Sequence, residues 1–358
     1  MRGIGMLFQI YLSRKIGAAG LGLFQLIMSV YMLFMTIAIS GIRFATTRLV
    51  SEELGVKADG AVGGIVRKCL IYALAFGTAA AAALYFLSDL MGLMWIKDTR
   101  SVLSLRILSI SLPFLAMSSV LSGYFTAVCR VIKSAAAQFV EQVCRILIVM
   151  LFFSMALDLD TEHACAVIVA GGVAGDFVSF AIQYTLYLFD KRRYRQPRST
   201  GGITVRMLGI SLPLAFSSYA RTALSTLQQI LIPRGFEKSG ATAHQALSDY
   251  GTIHGMVFPV ITLAAALFTS LSEIIVPELT DAQVKGDSHT IEGLVGRILR
   301  LCTVFSLGVA AVLFRYSGEL GQCIFGDGDV GKYMRILSLL MPVMYLDSVT
   351  DGMLRGLG

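Results

Sequence analysis

Arginine within apolar sequence is the first chemistry this chain offers. Arg43 belongs to a series Thr36, Ser40, Arg43 and Thr47, and Arg221 to a series Ser217, Arg221, Ser225 and Gln228, both spaced by three or four residues. That spacing puts each series on one helical face. A guanidinium inside an apolar helix is tolerated beside water, an anion or a carboxylate. Its planar, permanently charged fork suits phosphate and carboxylate groups. The two series therefore predict a cationic cavity, with Ser217 and Gln228 in its lining. Two other accounts stay open: Arg43, late in its helix, can snorkel to the interface, and Arg221 can be neutralised by Asp176 or Glu273.

The acids divide into two groups. Glu141 and Arg145 are spaced i, i+4 with the acid first, the favourable order for an intrahelical pair, and Asp351 and Arg355 repeat the arrangement. Asp176, Glu273 and Asp347 have no such local partner and are the candidates for proton or cation coupling. Six cysteines lie in or beside apolar runs without a CxxC or Cys/His pattern, so neither a zinc site, a disulfide framework nor a cofactor is expected. Pro113, Pro213 and Pro342 each follow an arginine by about seven residues. They predict three helix bends, whether hinges or static kinks.

These residues need helices to hold them, and the composition places those helices in lipid. Hydrophobic residues make up 56% of the 358, charged residues 15%, and mean hydropathy is +0.73; a soluble chain carries about 25% charge. Apolar runs near 3–13, 21–45, 69–90, 107–129, 135–157, 164–189, 207–232, 250–277, 298–318 and 336–357 predict an all-α polytopic membrane protein of about ten transmembrane helices. The net charge of +7 sits in short loops, which argues against a nucleic-acid partner. No cleavable signal peptide is apparent. Both ends look cut, and a second lobe lacking helices is expected.

Basic residues concentrate after the even-numbered runs, at Arg48, Lys57, Arg67 and Lys68 and most densely over 190–206, where Lys191, Arg192, Arg193, Arg195, Arg198 and Arg206 fall. The positive-inside rule then puts those loops and the N-terminus in the cytoplasm. Internal repetition gives the rest of the plan. Arg106-Ile-Leu-Ser-Ile-Ser-Leu-Pro113 returns as Arg335-Ile-Leu-Ser-Leu-Leu-Met-Pro342, and Leu7, Gln9, Ile10, Arg14 and Gly20 are answered by Leu227, Gln229, Ile230, Arg234 and Gly240. Two homologous lobes of the same orientation follow, 1–190 and 207–358, joined by a basic cytoplasmic linker over 191–206. Halves of this kind around a midplane cavity are a transporter architecture.

The segment Tyr11-Leu-Ser-Arg-Lys-Ile-Gly-Ala-Ala-Gly-Leu-Gly-Leu-Phe-Gln25, with Ser40-Gly-Ile-Arg43 and Thr47-Arg-Leu-Val-Ser-Glu-Glu53, resembles the opening of bacterial polysaccharide-biosynthesis exporters, most of all the stage V sporulation protein B group of the MOP superfamily. Ile274-Ile-Val-Pro-Glu-Leu-Thr280 and the closing Leu-Arg-Gly-Leu-Gly fit its second lobe. The resemblance implies a MATE-like pair of helical bundles that flips lipid-linked oligosaccharide or peptidoglycan precursors across the bacterial cell membrane by alternating access. It implies a polyprenyl-pyrophosphate-linked sugar as partner, a coupling Na+ or H+, and cavity arginines at Arg14, Arg43, Arg48 and Arg221. The alternative is a MATE-like cation-coupled multidrug exporter, whose acidic cavity would draw on Asp176, Glu273, Asp347 or Asp351. Charge counting favours neither, and the resemblance decides for the flippase. The loops are too short to hold an enzyme's active site, so no enzyme is expected.

Overall fold

Apolar helices bury their backbone hydrogen bonds internally, the requirement a bilayer imposes, and helix is the only regular structure among the described residues. The computed structural model describes residues 2–55, 62–155, 160–191, 203–265, 287–326 and 328–357. The helices are α1 (Arg2–Ile39), α2 (Ile42–Gly55), α3 (Val62–Leu90), α4 (Ser101–Ser109), α5 (Leu112–Ala127), α6 (Val131–Met155), α7 (Thr161–Lys191), α8 (Ile203–Lys238), α9 (Ala243–Gly251), α10 (Ser288–Phe325), α11 (Asp329–Ser338) and α12 (Met341–Leu357). A π-helical turn, Met91–Ile96, extends α3; another, Thr252–Val257, follows α9, and helix continues to 265. Among the described residues six stretches are long and apolar enough to cross a membrane, or seven if the pair α4–α5, bent by 46°, is one span. Large apolar side chains face outward, as on α6, where Phe139, Leu147, Leu151 and Phe152 are exposed. In a lipid-facing helix that is the expected face.

Contacts divide the chain into two compact units, 23–240 and a second made of 1–22 with 241–358. In the first, α2, α3, α4, α5 and α7 pack on one another, α6 lies on α7, and α8 lies on α2 and α3. Its core carries a buried polar seam, in which Ser122 bonds Ser134 (2.8 Å) and Gln183 (3.0 Å), and Gln183 reaches Ser179 (3.2 Å). Asp190, near the end of α7, receives Arg130 at 2.7 Å and Lys133 at 2.8 Å and fastens the turn between α5 and α6. In the second unit α10 packs on α11 and α12. There the start of the chain crosses α9 so closely that a Cβ on Gly251 would lie 2.0 Å from the Ala18 carbonyl oxygen, and one on Gly22 would lie 2.1 Å from that of Leu247. Only glycine permits that approach.

The repeat is visible in the hydrogen bonds. Between α4 and α5 the chain breaks with Ile110 N donating to Ile107 O (3.2 Å), Ser111 N to Leu108 O (3.1 Å) and Leu115 N to Ser111 O (3.0 Å). Between α11 and α12, 229 residues on, Leu339 N donates to Ile336 O (3.3 Å), Leu340 N to Leu337 O (3.0 Å) and Met344 N to Leu340 O (3.0 Å). Ser109 and Ser338 cap the Arg106 and Arg335 carbonyls alike, at 2.6 and 2.7 Å. Pro113 and Pro342 open the helices that follow, where a missing N–H costs nothing. Pro213 behaves otherwise: it lies inside α8, which runs on through it. The run expected at 21–45 is likewise two helices, because the chain breaks at Ser40–Gly41.

Candidate functional site

That break organises the candidate site, and all of it belongs to the unit 23–240. Ser40 and Gly41 both have positive φ, +44° and +68°. Serine avoids this region, so something must hold it there. The Ser40 hydroxyl is buried and contacts the Tyr72 hydroxyl at 3.0 Å, while the Tyr219 hydroxyl donates to it at 2.7 Å. Beside it, a Cβ on Gly41 would sit 2.7 Å from the Ser211 carbonyl oxygen, so glycine lets α8 press against the break. Further along, Thr36 meets Thr222 (3.2 Å) and Thr226 donates to the Ser29 carbonyl (3.1 Å). A polar ladder thus runs between α1 and α8 through otherwise apolar helices.

The arginines flank this ladder. Arg43 lies two residues past Gly41 and Arg221 one residue before Thr222; both are exposed and have no side-chain hydrogen bond or ion pair among the described residues. Arg221 is therefore not tied to Asp176. Ser217 and Gln228 are exposed on the same helix, the Ser217 hydroxyl donating to Leu214 O at 3.0 Å. Arg48 is already engaged, bonding Glu52 at 3.0 Å in an exposed pair that Arg206 joins. Arg14 lies in the other unit, where its guanidinium donates to Ile324 O at 2.9 Å.

The acids are placed as follows. Asp176 is buried on α7 and meets Arg145 at 3.4 Å, and Arg145 also reaches Glu141 at 3.2 Å. Tyr31 and Ser111, joined at 2.6 Å, turn their hydroxyls toward the same carboxylate. Asp176 thus has the partner that its own helix lacks, supplied by α6. Asp347 and Asp351 are exposed on α12. Glu273 lies outside the described residues, as do Ile274–Thr280 and most of the basic linker. Among the described residues no cluster of three or more His, Cys, Asp or Glu could hold a metal.

Two features escaped the sequence. The tyrosines that hold the break, Tyr72 and Tyr219, belong to none of the polar series read from the sequence; the Ser-Gly pair inside an apolar run was the available signal. The second is a cavity of 490 Å³ in the unit 1–22 with 241–358, lined by Met6, Gln9, His254, Phe258, Pro259 and Thr262 among others. The Gln9 Nε2 is buried there without a hydrogen-bond partner among the described residues. His254, on the π-helical turn, stacks between Tyr250 (4.6 Å) and Phe258 (4.9 Å).

Comparison with known proteins places these features in a wider group. The family model described as "Polysaccharide biosynthesis protein" matches residues 1–277. Stage V sporulation protein B of Bacillus subtilis (strain 168) is 23% identical over 363 residues, spanning 99% of this chain and 70% of the relative. Sporulation protein YkvU of the same organism is 22% identical, over 91% of this chain and 72% of the relative. Among solved structures, a multidrug resistance MATE family transporter of the MOP superfamily in an inward-facing conformation superposes with a TM-score of 0.82 at 14% identity, over 100% of this chain and 81% of that one. A likeness at that identity speaks to fold alone, and the fold is MATE-like.

Proposed function

The chain belongs to the polysaccharide biosynthesis protein family, and on that premise we propose that it flips a polyprenyl-pyrophosphate-linked sugar, of the peptidoglycan or oligosaccharide-precursor class, across a bacterial cell membrane by alternating access. One observation carries the reading: Arg43 and Arg221, both exposed and unpaired among the described residues, flank a helix break built by Ser40, Tyr72 and Tyr219. A pyrophosphate crossing the bilayer needs fixed cations on its path, and in a low-dielectric cavity each contact is strengthened. Ser217 and Gln228 add neutral donors on the Arg221 helix. Arg48 and Arg14 take part as outlying cations, each also holding a protein acceptor. The lipid tail would travel along an apolar groove open to the bilayer. Asp347 and Asp351, with Glu273, are the acids we assign to a coupling Na+ or H+; Asp176 is a weaker candidate because Arg145 already neutralises it. Lobes of 1–190 and 207–358 with a cytoplasmic linker and N-terminus complete the proposal. A family and fold of transporters argue against an enzyme.

The alternative, a cation-coupled multidrug exporter, draws on the MATE-like fold and would need an acid-lined site for cationic drugs. Unpaired guanidiniums beside the break weigh against it. Arg221→Ala should abolish flipping of a lipid-linked sugar in proteoliposomes while leaving expression intact. Arg221→Lys should recover part, since an ammonium cannot reproduce the bidentate fork. If both variants transport normally, or only protein abundance falls, Arg221 is structural and the site assignment is wrong.

A further inference from the structure

The cavity of 490 Å³ involves none of the arginines, and both of its walls lie within the compact unit formed by 1–22 with 241–358. One wall is the start of α1, where Gly5, Met6 and Gln9 share a face. The other is the helix over 254–263, with His254, Phe258 and Thr262 spaced by four. A Cβ on Gly5 would meet nothing within 4 Å, which leaves room at the first wall. The volume falls within the roughly 300–1,000 Å³ of small-molecule sites.

The polar groups say what could fill it. Gln9 Nε2 is buried with its N–H groups unmatched by any acceptor among the described residues. A buried donor without a partner is costly, so an occupant that brings an acceptor is favoured. The Thr262 hydroxyl donates to the Phe258 and Pro259 carbonyls, at 2.8 and 3.3 Å, which leaves its oxygen to accept. Phe258 N donates to Ile253 O, five residues back, and Pro259 in the next place has no N–H for the His254 carbonyl. The His254 ring is stacked between Tyr250 and Phe258, which occupies its faces and leaves its edge nitrogens for hydrogen bonding. Met6, Phe258, Pro259 and Leu263 supply apolar surface, and no charged side chain is among the described lining residues.

An ion in this cavity would lack a counter-charge, and an acyl chain from the bilayer would leave Gln9 and His254 covered without partners. A sugar ring meets each condition, with hydroxyls that donate and accept, no charge, and an apolar face for the apolar wall. We infer that this cavity is a binding site for a neutral sugar ring, with Gln9, His254 and Thr262 as its hydrogen-bonding groups. The choice of a sugar over other neutral hydroxylated rings rests on the flippase reading. The site itself uses neither Arg43 nor Arg221.

The probe is N-acetylglucosamine, titrated onto the full chain in lipid nanodiscs and followed by saturation-transfer NMR. Binding should be saturable and about fivefold weaker in Gln9→Leu and in His254→Phe, each of which removes one hydrogen bond. Gln9→Leu breaks no bond of the Gln9 amide nitrogen, and the phenylalanine keeps the aromatic stack. Gly5→Leu removes no polar group and fills open space, so it should fold and still lose the signal. Added pyrophosphate should not displace the sugar. Absence of saturable binding means a cavity that holds water only and overturns the inference. So does unchanged affinity in any of the three variants, and so does displacement by pyrophosphate, which would seat the sugar at the arginines. A protein that flips a lipid-linked sugar yet binds no free sugar refutes this site and leaves the proposed function standing. One that binds the sugar at these residues and flips nothing does the reverse.

Discussion

Replacing Arg145 by leucine should destabilise the protein strongly, and replacing Asp176 as well should restore most of the loss. Arg145 is the counter-charge for two acids, Glu141 at 3.2 Å and Asp176 at 3.4 Å, and the Asp176 side chain is only 9% exposed. Neither contact is short, so the attraction itself is modest. The cost of the leucine comes from what it leaves behind, a carboxylate in a buried place with no cation. Removing one partner of a buried pair costs about 3–5 kcal/mol, and the 29% exposure of Arg145 puts this case at the lower end. Asp176→Asn alone should cost less, about 1–2 kcal/mol, since Arg145 keeps Glu141 and a hydrogen bond is lost without stranding a charge. In the double variant the coupling between the two sites should then reach about 3 kcal/mol, which leaves it about as stable as Asp176→Asn alone. Denaturant unfolding of the four proteins in detergent closes this cycle. If Arg145→Leu shifts stability by less than about 0.5 kcal/mol, or if the second substitution adds to the first, the cluster is not the neutralising device argued for. The same variants bear on coupling: Asp176→Asn that unfolds normally yet uncouples transport would return Asp176 to the cation pathway.

Three other outcomes are expected. Cysteines placed across 191–198 should resist membrane-impermeant maleimide added to intact cells, and efficient labelling there would reverse the proposed topology. Gly251→Ala should cost about 3 kcal/mol through overpacking, because its Cβ would meet the Ala18 backbone at 2.0 Å, whereas Gly308→Ala, with open space around it, should be neutral or gain about 0.5–1 kcal/mol of helix propensity; equal effects in thermal unfolding would discredit the close crossing. Burial alone would raise the Asp98 carboxyl, but hydrogen bonds from the Arg100 side chain and main chain outweigh it and hold the group below its ordinary range. Its stabilisation is thus complete above the unfolded-state value and is lost as pH falls through the folded one. Asp98→Asn should flatten the acid limb of a stability–pH curve, and an unchanged limb would count against the contact.

Local chemistry made much of this protein legible before any contact was known. Apolar runs of bilayer length are helices because lipid offers no other partner for a backbone amide, and the expected runs are helical as far as the chain is described, apart from internal breaks at 40–41, 110–111 and 339–340 and the turn at 128–129. The repeat around Arg106 and Arg335 was readable because a break followed by proline is a local event, and the hydrogen bonds reproduce it at the same offset. Stripes such as Ser217, Arg221 and Gln228 were readable because helical periodicity alone sets a face. What the sequence could not supply was partnership across helices. Asp176 looked unpaired because its cation stands 31 residues away on α6, and the acceptor of Arg14 lies 310 residues on, out of reach of any local pattern. The run 21–45 looked continuous because the hydroxyls that hold Ser40 in a positive-φ conformation come from α3 and α8. Pattern along the chain fixes which face a residue occupies; only packing decides what that face meets, and the meaning of a charge inside a membrane depends on what it meets.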